Sequence, residues 1–328
     1  MSKPRRRWLD YLSYLALRWT ACVFDMFPIE WNLRTARLIG WCWFHVPAWL
    51  PVVGRLGRHR DRAMQHLRLA YGDAFDEVVH RRVALRSMQH FAMLAVEVLL
   101  TPRLLTRWTW RRYVRLVDLE PALRLLLDRR GCIMLTPHFG SFELLGYALA
   151  MVGFPITAIM RPFDNDYLNG DLLDRRVRSG LELLYKKGAA QRAQEVLREG
   201  RALCFIADQD AGRKGIFVDF FGQKASTYKS IGLLAMEENV PIIVGAARRV
   251  WPHFRYEIFV QRIIQPADWR DRDDELRWIT QEFSTAMEQM IRTAPEQYLW
   301  IHRRWKSRPR EQRRRAHAPV QAVASASQ

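Results

Sequence analysis

Gly131-Cys132-Ile133-Met134-Leu135-Thr136-Pro137-His138-Phe139-Gly140-Ser141-Phe142-Glu143 sets the architecture. Gly131 to Leu135 is a brief apolar run, the length of a buried strand. Phe142 to Met151 is longer and built of good helix formers, and Ser141 before it is a favoured N-cap. The join therefore reads strand, turn, helix. In an α/β sheet such a join lies at the carboxyl end of a strand, where ligands gather and a helix N-terminus favours developing negative charge. His138 and Glu143, five residues apart, stand at that point.

The chain has 328 residues, 49% of them hydrophobic, enough to bury the core of one large α/β domain. Fifty-two Lys and Arg against 34 Asp and Glu leave a net charge of +18. The expected partners are anionic: nucleic acid, acidic lipid headgroups or an acidic carrier protein. Thirteen Trp and ten Tyr beside that charge favour a membrane interface. Cys22, Cys42, Cys132 and Cys204 have neither CxxC nor metal-type spacing and read as buried free thiols, in keeping with a reducing cytoplasmic face.

Outward from the motif, strands alternate with helices. Short strands are expected at Leu116–Asp118, Pro155–Met160, Ala202–Ala207, Pro241–Ala246 and Tyr256–Val260. Helices are expected at Leu168–Lys187, Gln191–Glu199, Lys229–Asn239 and Glu275–Arg292. This order gives an α/β sandwich with a mostly parallel central sheet. The first hundred residues read as helical. Residues 1–30, with a basic cluster before an apolar stretch cut by Asp10, Arg18 and Asp25, read as an uncleaved anchor that either lies in the interface or spans the bilayer. Residues 31–306 form the main domain. Residues 307–328 lack hydrophobic periodicity and read as a disordered basic tail.

A histidine whose second nitrogen is held by a carboxylate can take a proton, and His138 with Glu143 offers such a pair. No Gly-x-Ser-x-Gly elbow or reactive-cysteine motif accompanies them, so the nucleophile would be an alcohol of the substrate. Spacing alone also allows a structural role for both. Gly212, Gly215 and Gly222 lack phosphate-loop order and read as turn residues, and no zinc or iron spacing appears among the nine His. Asp208 follows the apolar run Leu203–Ala207, which places it on the same sheet rim as His138.

Residues 136–143 resemble the HxxxxD/E motif of the glycerolipid acyltransferases, in the HxxxxE form of the bacterial lipid A late acyltransferases. Four more stretches agree in order: Met160-Arg161-Pro162 with Asp164-Asn165; Arg176-Val177-Arg178-Ser179; Asp208-Gln209-Asp210 through Gly222; and Pro295 through Trp305. The similarity runs to Lys306. It implies transfer of a fatty acyl chain from an acyl carrier protein thioester, or an acyl-CoA, to a hydroxyl of a membrane glycolipid, commonly a lipid A precursor, with no further cofactor.

By the same resemblance His138 is the general base and Glu143 orients it. Arg161, Arg176 and Asp208 support the site, Asp208 acting through Arg176. Oxyanion donors are expected among the N–H groups of Phe139 to Ser141 together with Arg176. The enzyme would work at the cytoplasmic face of the cell inner membrane, on an anionic surface. Phosphatidylinositol mannosides, lysophospholipids and amino-acid lipids are alternative acceptors. No nucleic-acid recognition motif is present, so nucleic acid is not an expected partner, although a basic nucleic-acid-binding protein is the rival reading of the charge.

Overall fold

The computed structural model describes residues 7–50, 54–160, 162, 165–177, 179–185 and 189–309. Four helices come first: α1 (Arg7–Asp25), α2 (Ile29–His45), α3 (Gly54–Tyr71) and α4 (Glu77–Leu104). After α5 (Trp110–Tyr113) come β1 (Val114–Val117), α6 (Glu120–Leu127), β2 (Cys132–Thr136), α7 (Phe142–Met151), β3 (Ile156–Met160) and α8 (Asp166–Val177). Next are β4 (Glu182–Tyr185), α9 (Ala189–Arg198), β5 (Ala202–Ile206) and the hairpin β6 (Ile216–Phe220) with β7 (Gln223–Thr227). The chain continues through α10 (Lys229–Glu238), β8 (Ile242–Arg249), β9 (Tyr256–Ile264), α11 (Pro266–Trp269) and α12 (Glu275–Thr293).

Seven strands form one sheet in the order β1-β9-β8-β2-β5-β3-β4. Every neighbouring pair is parallel except β8 with β9. The expected α/β architecture is thus present, with β1 and β9 running against the rest. Side chains alternate across β2: Ile133 and Leu135 join a core with α9, α10 and α12, while Cys132 joins the opposite core with α6 and α7. The central strands are apolar on both faces because helices cover both.

Two readings change and one is extended. The expected helix Leu168–Lys187 ends at Val177, and the chain turns at Gly180 (φ +90°) into β4, which pairs with β3 from Thr157↔Glu182. Sheet pairing prevails there over a periodicity that also fits a helix. The glycines after Asp210 serve turns as expected, Gly212 and Gly215 before β6 and Gly222 between β6 and β7, and the hairpin they shape, packed on α12, is an addition to the expected elements. Of the four cysteines, Cys132 is buried and Cys204 half-buried, whereas Cys22 and Cys42 are exposed on α1 and α2. Cys22 continues the helical spacing of Trp8, Leu12, Leu15 and Trp19, all exposed on α1, so its apolar surroundings belong to an outward face.

Among the described residues, α4 alone has the length and hydropathy to cross a membrane. It is packed into the protein, with Met88, Met93, Leu100 and Glu97 all buried. The basic start of the chain and residues 310–328, most of the expected tail, lie outside the described residues. Ser307, ahead of them, is tied down, its Oγ donating to Asp210 Oδ2 at 2.9 Å.

Candidate active site

Strands β2 and β5 are adjacent and in register, Thr136 opposite Ile206. Two residues beyond each end stand His138 and Asp208, so the sheet itself brings them to one level. The carboxylate grips the histidine twice: Oδ2 accepts the His138 backbone N–H at 3.0 Å, and Oδ1 lies 2.6 Å from ring Nδ1. An ionised carboxylate only accepts, so Nδ1 carries the proton and Nε2 is left as the acceptor. Asp208 is wholly buried and the His138 ring nearly so. Burial raises the Asp208 carboxyl, but the charge of His138 and the bonds to it outweigh this and hold it well below the usual carboxylate range. Burial likewise lowers His138, and the charge and bond of Asp208, helped by the Glu143 charge, bring it above its ordinary value.

Glu143 is therefore not the carboxylate on the ring, which corrects the pairing expected from spacing. It sits in the first turn of α7 and binds Arg176 in a fork, Oε1 to Nη2 at 2.6 Å and Oε2 to Nε at 3.2 Å. Among the described residues, Arg176 Nη1 meets only the weak acceptor Met160 Sδ, at 3.3 Å. Asp208 thus acts on His138 directly and not through Arg176. Arg161 lies outside the described residues.

The turn between strand and helix is rigidly held. Gly140 has φ +57°, and a Cβ there would come 2.0 Å from the Ala247 carbonyl oxygen, so glycine is required on both counts. The backbone N–H groups of Phe139, Gly140 and Ser141 donate to the carbonyls of Pro137 (2.7 Å), Gln297 (3.1 Å) and Ala247 (2.8 Å). With all three occupied, the expectation that they form an oxyanion hole is withdrawn. Ser141 Oγ caps α7 by accepting the Leu144 N–H at 3.4 Å, so among the described residues Arg176 and the N–H groups of Phe142 and Glu143, which have no intrahelical acceptor, are the remaining donors.

Beneath the turn lies a buried polar network that the sequence reading did not find. Arg249 Nη2 pairs with Glu97 Oε2 at 2.6 Å, the Tyr256 hydroxyl also donates to Glu97, and Arg249 Nε donates to His90 Nδ1 at 3.2 Å. Since Arg249 can only donate, His90 must donate from Nε2, and it does so to the Gly140 carbonyl at 3.1 Å. Burial, with Arg249 alongside, lowers the His90 pKa to about 3, so the ring stays neutral.

The last motif closes the site from above. Leu299 N–H donates to the His138 carbonyl at 3.0 Å, and Tyr298 forms a bridge with Phe139. Trp300 is buried in the core, and the buried Arg304 donates to the carbonyls of Gln209 and Ser226. The His302 ring stacks on that of His138, centroids 5.2 Å apart and planes 25° from parallel. Burial is the main cause that lowers the His302 pKa, favouring the neutral ring. Of Trp300, His302 and Trp305, which the Pro295–Trp305 motif alone does not place, His302 is the one whose ring meets His138.

An apolar cavity of about 130 Å³ runs between the sheet and α6 and α7, with Leu126, Leu149, Ile156 and Leu183 in its walls. Its polar residues include Thr136, Glu143 and Arg176. It therefore reaches the motif that carries His138. Among the described residues, no group of three or more His, Cys, Asp or Glu is placed to hold a metal ion.

Residues 3–307 match the family model described as bacterial lipid A biosynthesis acyltransferase. The chain is 26% identical over 303 residues to the lipid A biosynthesis palmitoleoyltransferase of Escherichia coli (strain K12), covering 86% of this chain and 93% of that one. It is 25% identical over 290 residues to the lipid A biosynthesis lauroyltransferase of the same organism, covering 83% and 90%. A phosphatidylinositol mannoside acyltransferase of Mycolicibacterium smegmatis is 27% identical over 130 residues, 38% of this chain and 43% of that one. With the motif, the sheet and these matches in agreement, the chain is an acyltransferase and belongs to the bacterial lipid A biosynthesis acyltransferase family.

Proposed function

We propose that the enzyme transfers a fatty acyl chain from an acyl carrier protein thioester to a hydroxyl of a lipid A precursor, with His138 as general base. The observation that carries this is the 2.6 Å contact of His138 with Asp208, two residues past Thr136, which lines a mostly apolar cavity together with Glu143 and Arg176. Nε2 takes the hydroxyl proton, the oxygen attacks the thioester carbonyl, and a C–O bond forms as the C–S bond breaks. The proton held on His138 passes to the departing sulfur. Asp208 stabilises the imidazolium between these steps. Arg176, fixed by Glu143, offers Nη1 to the developing oxyanion. The cavity takes the acyl chain, each buried methylene contributing about 0.8 kcal/mol.

The exposed apolar stripes of α1 and α2 support work at a membrane. Trp8 is 60% exposed, Trp19 75% and Trp31 61%, and Leu38, Ile39 and Trp41 extend the surface. Helix α1 is tied along the domain, with Asn165 Nδ2 donating to the Asp10 carbonyl at 2.8 Å and Tyr11 packed on Tyr167. This favours a helix lying in the interface over one leaving the domain to span, on the cytoplasmic face of the inner membrane where acyl thioesters are made available. A phosphatidylinositol mannoside is the second acceptor to examine, since relatives named for it match this chain too. A purified assay with radiolabelled acyl carrier protein thioester and either acceptor tests the reading: labelled lipid with the lipid A precursor is expected, and label on neither acceptor contradicts it.

A further inference from the structure

Next to the last motif lies a second cleft, of about 500 Å³, lined by α3, the start of β7 and residues 303–308. It differs in kind from the acyl cavity. Arg62, Lys224, Arg303, Lys306 and Arg308 line it, and among the described residues no Asp or Glu does. Lys224 has a carboxylate partner, Asp219 at 2.9 Å. The other four have none among the described residues. Arg62 donates one N–H to the Ile301 carbonyl at 3.2 Å, and burial together with Arg303 and Arg58 nearby lowers its pKa, the mark of crowded like charge.

The walls are built, not loose. His66 is buried with Nδ1 2.8 Å from the Trp300 carbonyl oxygen, and the Trp305 ring stands edge-on to it, centroids 5.2 Å apart. Trp305 Nε1 is itself buried, with no hydrogen-bond partner among the described residues. The cleft is also near the chemistry. His66 is bonded to the carbonyl of Trp300, two residues before His302, whose ring stacks on His138. Holding four cations in one concavity costs free energy that a bound anion relieves, and guanidinium forks suit phosphate oxygens in particular.

We infer that this cleft binds a phosphate ester of one of the two substrates, either the phosphopantetheine of the thioester donor or a headgroup phosphate of the glycolipid acceptor. The assignment rests on the acyl-transfer reading above. The acyl chain and the phosphate then occupy separate compartments, one apolar and one basic, with the reacting oxygen and carbonyl between them at His138.

The test combines loss of the cations with loss of the phosphate. Wild type and the exposed-site triple variant Arg303→Gln/Lys306→Gln/Arg308→Gln are compared on acyl phosphopantetheine against acyl pantetheine, and on intact against phosphatase-treated acceptor. In wild type, removing the phosphate from one substrate is expected to raise its KM about tenfold or more, the worth of one or two charge-assisted hydrogen bonds. In the variant the intact substrate already shows the raised KM, and removing its phosphate adds less than about twofold. The arm that responds names the substrate. KM values unmoved by the variant in both arms, or a phosphate effect as large in the variant as in wild type, overturn the inference. Calorimetric titration with inorganic pyrophosphate separates this from failure of the acyl-transfer reading: heat with wild type that vanishes in the variant upholds the site even where no acceptor turns over, and no heat with wild type overturns it.

Discussion

Asp208 Oδ1 lies 2.6 Å from His138 Nδ1 while its Oδ2 accepts the His138 backbone N–H. One buried carboxylate thus fixes both the tautomer of the ring and its rotation, leaving Nε2 for the substrate. Asp208→Asn should lower kcat by about 10³–10⁴, the loss typical when such a carboxylate becomes an amide, with KM for the acceptor changed little. Steady-state rates of the purified variant, with circular dichroism to confirm folding, check this. A loss under tenfold would leave the ring's orientation to other contacts.

Glu143 and Arg176 should behave as a unit. In a double-mutant cycle of Glu143→Gln and Arg176→Gln on kcat/KM, a coupling of about 0.5–3 kcal/mol is expected for contacting residues. Arg176→Gln combined with Asp208→Asn should be additive if their effects act through separate contacts. Coupling in the second cycle and none in the first would reverse the pairing.

The positions of these residues were partly legible in the chain. Cys132–Thr136, the Ser141 N-cap and the helix after it follow from local pattern, and Asp208 at a strand end follows from the apolar run before it. Their pairing was not legible, because it depends on β2 and β5 being neighbours, a property of strand order that spacing within residues 136–143 does not carry. Five residues along, Glu143 has already entered α7 and turned to Arg176. His90, Glu97 and Arg249 were hidden for the same reason: α4 and β8 meet only in the folded core. His302 was visible as a motif residue, but only the bridge of Tyr298 to Phe139 brings its segment over His138.

The pH dependence follows from the sign of the His138 shift. A general base works when neutral, and Asp208 brings the His138 pKa above the ordinary 6.5. The acidic limb of kcat/KM should therefore have its midpoint above 6.5, with activity falling about tenfold per unit below it. In Asp208→Asn the residual activity should show that midpoint at lower pH, because burial then acts without the opposing carboxylate. A midpoint that does not move would assign the limb to another group.

Gly146 lines the apolar cavity from α7, and a Cβ there would, among the described residues, have only Leu181 Cδ2 nearby, at 3.9 Å. Gly146→Ala should fold normally and gain roughly 0.5–1 kcal/mol of helix stability. Gly146→Met should fill the cavity and shift the preferred chain to a shorter one. Competition between thioesters of different length, read by mass spectrometry of the product, reports the shift; an unchanged preference would place the chain elsewhere.

The Arg249–Glu97 pair is buried on both sides. Glu97→Ala leaves an uncompensated guanidinium in the core and should cost about 3–5 kcal/mol in urea unfolding. Because His90 links the pair to the Gly140 carbonyl, a folded variant with milder damage, such as His90→Gln, should lose kcat more than acceptor affinity.

In the proposed function His138 drives acylation of a membrane glycolipid. Mass spectra of glycolipids from cells lacking this chain, complemented with wild type or with His138→Ala at equal expression, test it most directly. A glycolipid lighter by one acyl group is expected in the deletion, restored by wild type and not by His138→Ala. Full restoration by His138→Ala, or no change of glycolipid mass in the deletion, would contradict it.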